Sequence, residues 1–283
     1  MRIVLTVAAL ALQEASRRKV LRSLGALTAV LLALSAWGFS EIAADYGGLT
    51  SGEAKVAASV VLNLVMFGFS LIAALGTAFL AGPTLSGEVE SGVALAMMTR
   101  PIRRAQVLTG KWLGLVVFGT GFVTVAGVAQ FVIVHTTVDY WPPHPVTGLA
   151  LLAGQTAALL TLGLLFSTAI SPMASGIVAV GLFGATWIAG VVGSIGDALG
   201  NPSVAMVGTV SRMLLPTDGL WRGAMNSFQD PALLAQIGSG VEESPFLSMH
   251  PLTGAYLLWA ALWTGLVLSS ASSLLHPCCA LRR

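Results

Sequence analysis

The sequence predicts an all-α integral membrane protein of six transmembrane helices. Three observations carry this expectation. First, 55% of the 283 residues are hydrophobic and only 9% are charged, against roughly a quarter in soluble domains, and the mean hydropathy is +0.86. Second, six apolar windows are each long enough to cross a hydrocarbon core about 30 Å thick, which takes ~20 helical residues. Third, the basic residues gather on alternate connections between those windows.

Residues 1–19 read as a helix lying at the inner interface, carrying Glu14, Arg17, Arg18 and Lys19, and turning into the first span at Arg17–Arg22. A cleavable signal competes, because MRIVLTVAALA combines a positive start, a short apolar run and small residues. The basic block RRKVLR follows almost at once and opposes export of what comes next.

Residues 20–283 then form one six-span domain. Its windows are Val20–Phe39, Val56–Gly82, Trp112–His135, Thr147–Ile170, Ser175–Ile195 and Leu252–Leu275. Only Arg22 brings a formal charge into a window, near an end from which it can snorkel. As helices, the windows satisfy their own backbone hydrogen bonds in lipid. Small residues at Gly176, Gly181, Ala185, Gly190 and Gly193 suit the fifth to close helix contact.

With the N-terminus in the cytoplasm, the inner side receives Arg2, Arg17, Arg18, Lys19, Arg22, Arg100, Arg103, Arg104, Lys111, Arg282 and Arg283, eleven of the 14 basic residues. Lys55, Arg212 and Arg222 fall outside, and of the 12 acids only Glu14, Glu88 and Glu90 fall inside. Both termini are therefore expected in the cytoplasm of a multi-pass plasma-membrane protein.

The outer segment 196–251 separates spans five and six. Asn201-Pro202 signals an N-cap and first turn, and Val204, Val207, Val210, Met213 and Leu214 follow at helical spacing until Pro216 stops the pattern. Asp230-Pro231 opens a second candidate helix through Ile237. Short amphipathic or re-entrant helices packed on the bundle are one reading, and an ordinary extracellular loop is the other. An inner placement follows if the fifth span is a re-entrant pair.

Several chemistries lack their residues. Gly110-Lys111 is followed by Trp112, with Ala105 where a phosphate-binding loop needs glycine, so the chain is expected to bind no ATP. His135, His144, His250 and His276 are scattered, and the adjacent Cys278 and Cys279 have no ligand spacing, so no metal is expected. The span centres hold no ionisable group, whereas ion-coupled transporters need one there. Asn63, Gln130 and Gln155, with Thr156 and Thr161, are polar residues within the spans. They line a translocation path in one reading and make interhelical hydrogen bonds in the other.

Ser86–Gly114, SGEVESGVALAMMTRPIRRAQVLTGKWLG, concentrates charge between two spans. Pro83 and Gly87 end the second span, Ala94–Met98 is a short helical stretch, and Arg100-Pro101 breaks it. A solvated inner loop would account for the charge alone. The pattern Glu88-x-Glu90-x-Gly92, Met97-Met98-x-Arg100-Pro101-x-x-Arg104 and Gly110-Lys111-x-x-Gly114 resembles the signature of type 2 ABC exporter permeases. Gln13-Glu14 before Arg17-Arg18 is similar to that family's N-terminal interfacial helix. Val93 stands where the family usually has threonine.

The resemblance implies a non-enzymatic membrane subunit of an ATP-driven exporter. The coupling segment 83–111 would sit in a groove of a separate ABC ATPase subunit, which binds the ATP and Mg. Glu88, Glu90, Arg100, Arg103 and Arg104 would make charge-assisted contacts there, and Leu95, Met97 and Met98 an apolar seat. Six spans make half a transporter, so a second permease copy, identical or paralogous, is implied. Beside the ATPase and the bilayer, no nucleic acid is expected as partner. A membrane-embedded scaffold or assembly factor is the alternative function. A lipid-modifying enzyme is disfavoured, because no paired carboxylates or histidines converge near a membrane face.

Overall fold

The computed structural model describes residues 2–17, 19–45, 52–90, 104–230, 246–248 and 251–278. Among the described residues there are nine α-helices and no strand. They are α1 (Arg2–Arg17), α2 (Lys19–Asp45), α3 (Gly52–Glu90), α4 (Arg104–Val138), α5 (Pro145–Ser167), α6 (Pro172–Ala198), α7 (Pro202–Leu214), α8 (Thr217–Phe228) and α9 (Gly254–Cys278). Helices α2 to α6 and α9 are long and apolar enough to cross a membrane, and they coincide with the six windows. The chain is a multi-pass, all-helical membrane protein.

Local chemistry sets many of the boundaries. Proline occupies the first turn of α5, α6 and α7, where its missing N–H costs nothing. The Asn201 side chain accepts from the Ser203 and Val204 amides at 3.1 and 3.3 Å, making the expected N-cap of α7. Just before it, Gly200 takes a φ of 62° and ends α6. Hydroxyls within the spans, such as Thr28 and Thr156, donate to the carbonyl four residues back, so they need no partner in lipid.

The second apolar stretch able to cross a membrane ends at Pro83, as expected, but its helix does not. Helix α3 does not stop at Pro83 but continues to Glu90. A proline removes one helical hydrogen bond, which kinks a helix without ending it when neighbours hold both sides. Here the adjoining Gly82 lies against the Pro172 carbonyl and Ser175 at the start of α6.

Helix α3 is central, packing on α2, α4, α5 and α6, and α5 packs in turn on α4, α8 and α9. Two cores result. One holds Leu62, Met66, Phe69, Phe131, Leu152, Trp221, Met225 and Phe228, so α8 helps to build it. The other, at the opposite end of the bundle, holds Ala15, Leu80, Leu108, Leu115, Leu160 and Leu164, so α1 belongs to it.

Helices α7 and α8 form a hairpin. α7 runs antiparallel along α6: Ala205 lies beside Gly196, Gly208 beside Gly193, and the Ser211 hydroxyl donates to the Thr186 carbonyl at 3.4 Å. Ten residues separate Gly196 from Thr186, about 15 Å of helix. After Pro216 the chain returns along α5, with Gly223 beside Leu151, Phe228 against Gly148, and the His144 amide donating to the Ser227 carbonyl at 3.1 Å. α8 is thus a helix in a stretch where the sequence pattern ends. The expected helix of residues 231–237 lies outside the described residues.

Candidate functional site

The charged segment between α3 and α4 is reached from both sides by helix. Glu88 and Glu90 fall on the last turns of α3, and Arg104 is the first residue of α4. Leu95, Met97, Met98, Arg100 and Arg103 lie outside the described residues, so the proposed docking face is not assembled by the described structure. What is described is the base of α4. There Gly110 and Gly114 are one turn apart, and α1 lies directly on them. A Cβ at Gly110 would strike Val7 and the Val4 carbonyl, and one at Gly114 the Ala8 carbonyl and Ala11. Small residues four apart let two helix backbones approach closely. The Gly110-x-x-x-Gly114 spacing therefore has a mechanical role, fixing α1 to the helix that leaves the charged segment. Glu14, Arg17 and Lys19 are exposed around the α1–α2 corner. Arg18 lies outside the described residues.

Inside the bundle the polar residues singled out from the sequence are buried, and all but Thr156, which bonds within its own helix, are bonded to another part of the chain. The Gln130 amide donates to the Ser35 hydroxyl at 2.6 Å, joining α4 to α2. The Ser70 hydroxyl donates to Gln155 Oε1 at 3.0 Å, joining α3 to α5. The Asn63 amide donates to the Phe246 carbonyl at 2.9 Å, and Trp112 donates to Thr161 at 2.7 Å. Asn63, Gln130 and Gln155 thus bond to three different partners, Phe246, Ser35 and Ser70. Asn63 Oδ1 and Gln130 Oε1 are buried with no hydrogen-bond partner among the described residues. Replacing Gln130 by leucine is expected to cost about 1 kcal/mol or less, read as a small shift in detergent unfolding. A larger loss would mean that Gln130 does more than join two helices.

The hairpin tip carries chemistry that the sequence did not reveal. Asp218, the second residue of α8, is buried, and its Oδ2 accepts from Arg212 Nε and Arg222 Nε, each at 3.0 Å. Arg222 Nη2 also donates to the Gly190 carbonyl at 2.7 Å, and the Tyr256 hydroxyl donates to the Arg212 carbonyl at 3.1 Å. Thr186 and Thr217 hydroxyls meet at 3.1 Å alongside. One cluster therefore ties α6, α7, α8 and α9 together. Gly190 is needed because any side chain there would occupy the position of the Asp218 carboxylate. Burial pushes the Arg222 pKa down, and Asp218 opposes that shift. The Tyr140 phenol, which donates to the Phe228 carbonyl at 2.6 Å, has its pKa raised, chiefly by burial and secondarily by Asp230. Although the span centres carry no charge, the fold brings three charged side chains in beside the middle of α6. Their proximity to Gly190 could not be read from a local pattern, because Arg222 meets it across 32 residues of chain.

Among the described residues no group of three His, Cys, Asp or Glu side chains converges as metal ligands would. His135 Nδ1 lies 3.4 Å from Asp139, and its ring sits edge-on to Trp141.

No protein-family model matches the chain. The probable ABC transporter permease protein NosY of Pseudomonas aeruginosa is 38% identical to it over 114 residues. That likeness supports an ABC permease family. The matched stretch is 40% of this chain and 39% of the relative, so it spans about two fifths of the relative's length.

Proposed function

We propose that the chain is the membrane-spanning permease subunit of an ATP-driven ABC export complex of type 2 architecture, energised by a separate nucleotide-binding subunit. The likeness to an ABC transporter permease carries this reading, and six helices able to cross a membrane agree with it. In this reading both termini are cytoplasmic, α1 lies along the inner interface, and residues 83–111 form the coupling segment. The ATPase grips that segment, and ATP with Mg stays in the partner. Close seating of α1 on Gly110 and Gly114 would move α1 and α4 as one body when the segment is pushed. A second permease copy completes the transporter.

The hairpin α7–α8 is then re-entrant from the outer face. Supporting this, α7 turns Gly208 and Ser211 inward and leaves Met206, Val207, Val210, Met213 and Leu214 exposed, the reverse of a helix that packs its apolar stripe inward from water. Asn63 and Gln130, each with a buried amide oxygen lacking a described partner, and Gln155 are candidates to face a polar path when the helices move.

The test is substitution of Glu88 and Glu90 by alanine in the full-length chain, purified with its nucleotide-binding subunit. The expected outcome is loss of that subunit from the complex, or ATP hydrolysis that no longer responds to the permease. Unchanged behaviour in both assays refutes the docking assignment. Purification with no nucleotide-binding partner would favour the scaffold reading.

A further inference from the structure

A groove of about 520 Å³ runs between α2 and α4. Its α1 end is walled by Leu12 and its lining ends at Leu32 and Ala129; next along the two helices comes the Gln130–Ser35 hydrogen bond. From Leu21 to Leu32 the α2 wall is about 16 Å long, close to half of a hydrocarbon core about 30 Å thick. The lining is apolar except Thr28, whose hydroxyl already donates to the Leu24 carbonyl at 2.8 Å. No polar group in the wall therefore asks for a partner. Gly25 and Gly121 leave open space on opposite walls, since a Cβ at either meets nothing within 4 Å.

The α1 end of this groove is net basic, three cations to one carboxylate, Glu14, which has its own partner. Arg22 lies on the same face of α2 as Gly25 and Ala29, three and seven residues on. Arg17 and Lys19 are exposed at the adjoining corner, and none of the three has an ion-pair partner among the described residues. A symmetric second copy seated here would bring these cations against their own equivalents, which like-charge repulsion opposes. A zwitterionic lipid offers a phosphate but brings its own ammonium beside it, so its net attraction to the three cations is smaller. We infer that the groove is a binding site for one anionic phospholipid of the α1-side leaflet, its acyl chain between α2 and α4 and its phosphate held by Arg22, Lys19 and Arg17. This inference does not depend on the permease reading.

The full-length chain, stripped of lipid in mild detergent, would be offered equal amounts of palmitoyl-oleoyl phosphatidylglycerol and phosphatidylcholine and weighed by native mass spectrometry. One phosphatidylglycerol per chain should be retained, preferred about tenfold. The double variant Gly25→Leu with Gly121→Leu fills the groove, and both lipids should be lost about tenfold. The variant Lys19→Gln with Arg22→Gln should keep a lipid but lose the preference. Undiminished phosphatidylglycerol in the filled variant, or a persisting preference in the neutralised one, overturns the site. So does crosslinking of two copies through Gly121→Cys. If the glycine variants fail to fold, the lysine–arginine variant decides.

Discussion

Replacing Asp218 by alanine is expected to cost about 3–5 kcal/mol of folding stability, the usual penalty for stripping a buried charge of its partner. Two guanidiniums share its Oδ2 at 3.0 Å, so the variant leaves both unpaired beside α6. The Asp218 side chain is 1% exposed, against 26% for Arg212 and 15% for Arg222. Arg212 can turn partly outward when released, and Arg222 cannot do so as easily. The larger share of the loss is therefore assigned to Arg222, which still has the Gly190 carbonyl. Adding Arg222→Met and Arg212→Leu to Asp218→Ala should recover much of the stability, because a buried ionic triad is often no better than apolar side chains of similar volume. Trp221, buried next to the cluster, gives a fluorescence readout during unfolding in mixed micelles. A loss under about 1 kcal/mol in the single variant would place the cluster in water and contradict the packing of the hairpin tip.

The six spans were legible because lipid imposes a simple rule: about 20 apolar residues, whatever their order. The start of α7 was legible because Asn201-Pro202 states its own cap. Its stop was legible at Pro216. Which way α7 faces was not, since the stripe Val207, Val210 and Leu214 is the same whether it meets a core or lies exposed, and only the pairing of Gly193 with Gly208 decides. α8 was missed for a different reason. TDGLWRGAMNSF does carry an apolar face, Leu220, Trp221, Ala224, Met225 and Phe228, but on only 12 residues that include two glycines, an aspartate and an arginine. Its helix is held by burial on nearly all sides rather than by propensity, and that burial depends on Gly148 and Gly154 of α5, far upstream of the Phe228 and Leu220 they meet. The candidate site divides in the same way. The pattern Gly110-x-x-x-Gly114 could be seen as a motif, but that α1 would lie on it could not. Of its glycine neighbours in α4, Gly119 and Gly127 are packed by α5, while Gly121 is open, and no local signal separates these cases.

Gly114→Leu tests that seat. The leucine would enter the space of the Ala8 carbonyl and Ala11. A backbone carbonyl cannot rotate away as a flexible side chain can, so α1 must lift from α4. Overpacking of this kind costs about 1–3 kcal/mol. Because α1 joins α2 at one end and makes its main contact with α4, the strain can be relieved locally, without unfolding the spans. The expected result is that amide exchange across residues 2–17 accelerates by about five- to 150-fold, while α3 and α5 exchange as before and the melting transition barely moves. Gly121→Leu, on the same helix but with nothing within 4 Å of its Cβ, should leave α1 exchange unchanged. In a complex with the nucleotide-binding subunit, the lifted α1 should also weaken the response of ATP hydrolysis to the permease, even with Glu88 and Glu90 intact. Faster exchange with normal coupling would make α1 a structural brace and leave force transmission to α4 alone. Unaltered exchange in Gly114→Leu would mean that α1 has room to spare, and the close seating would be wrong.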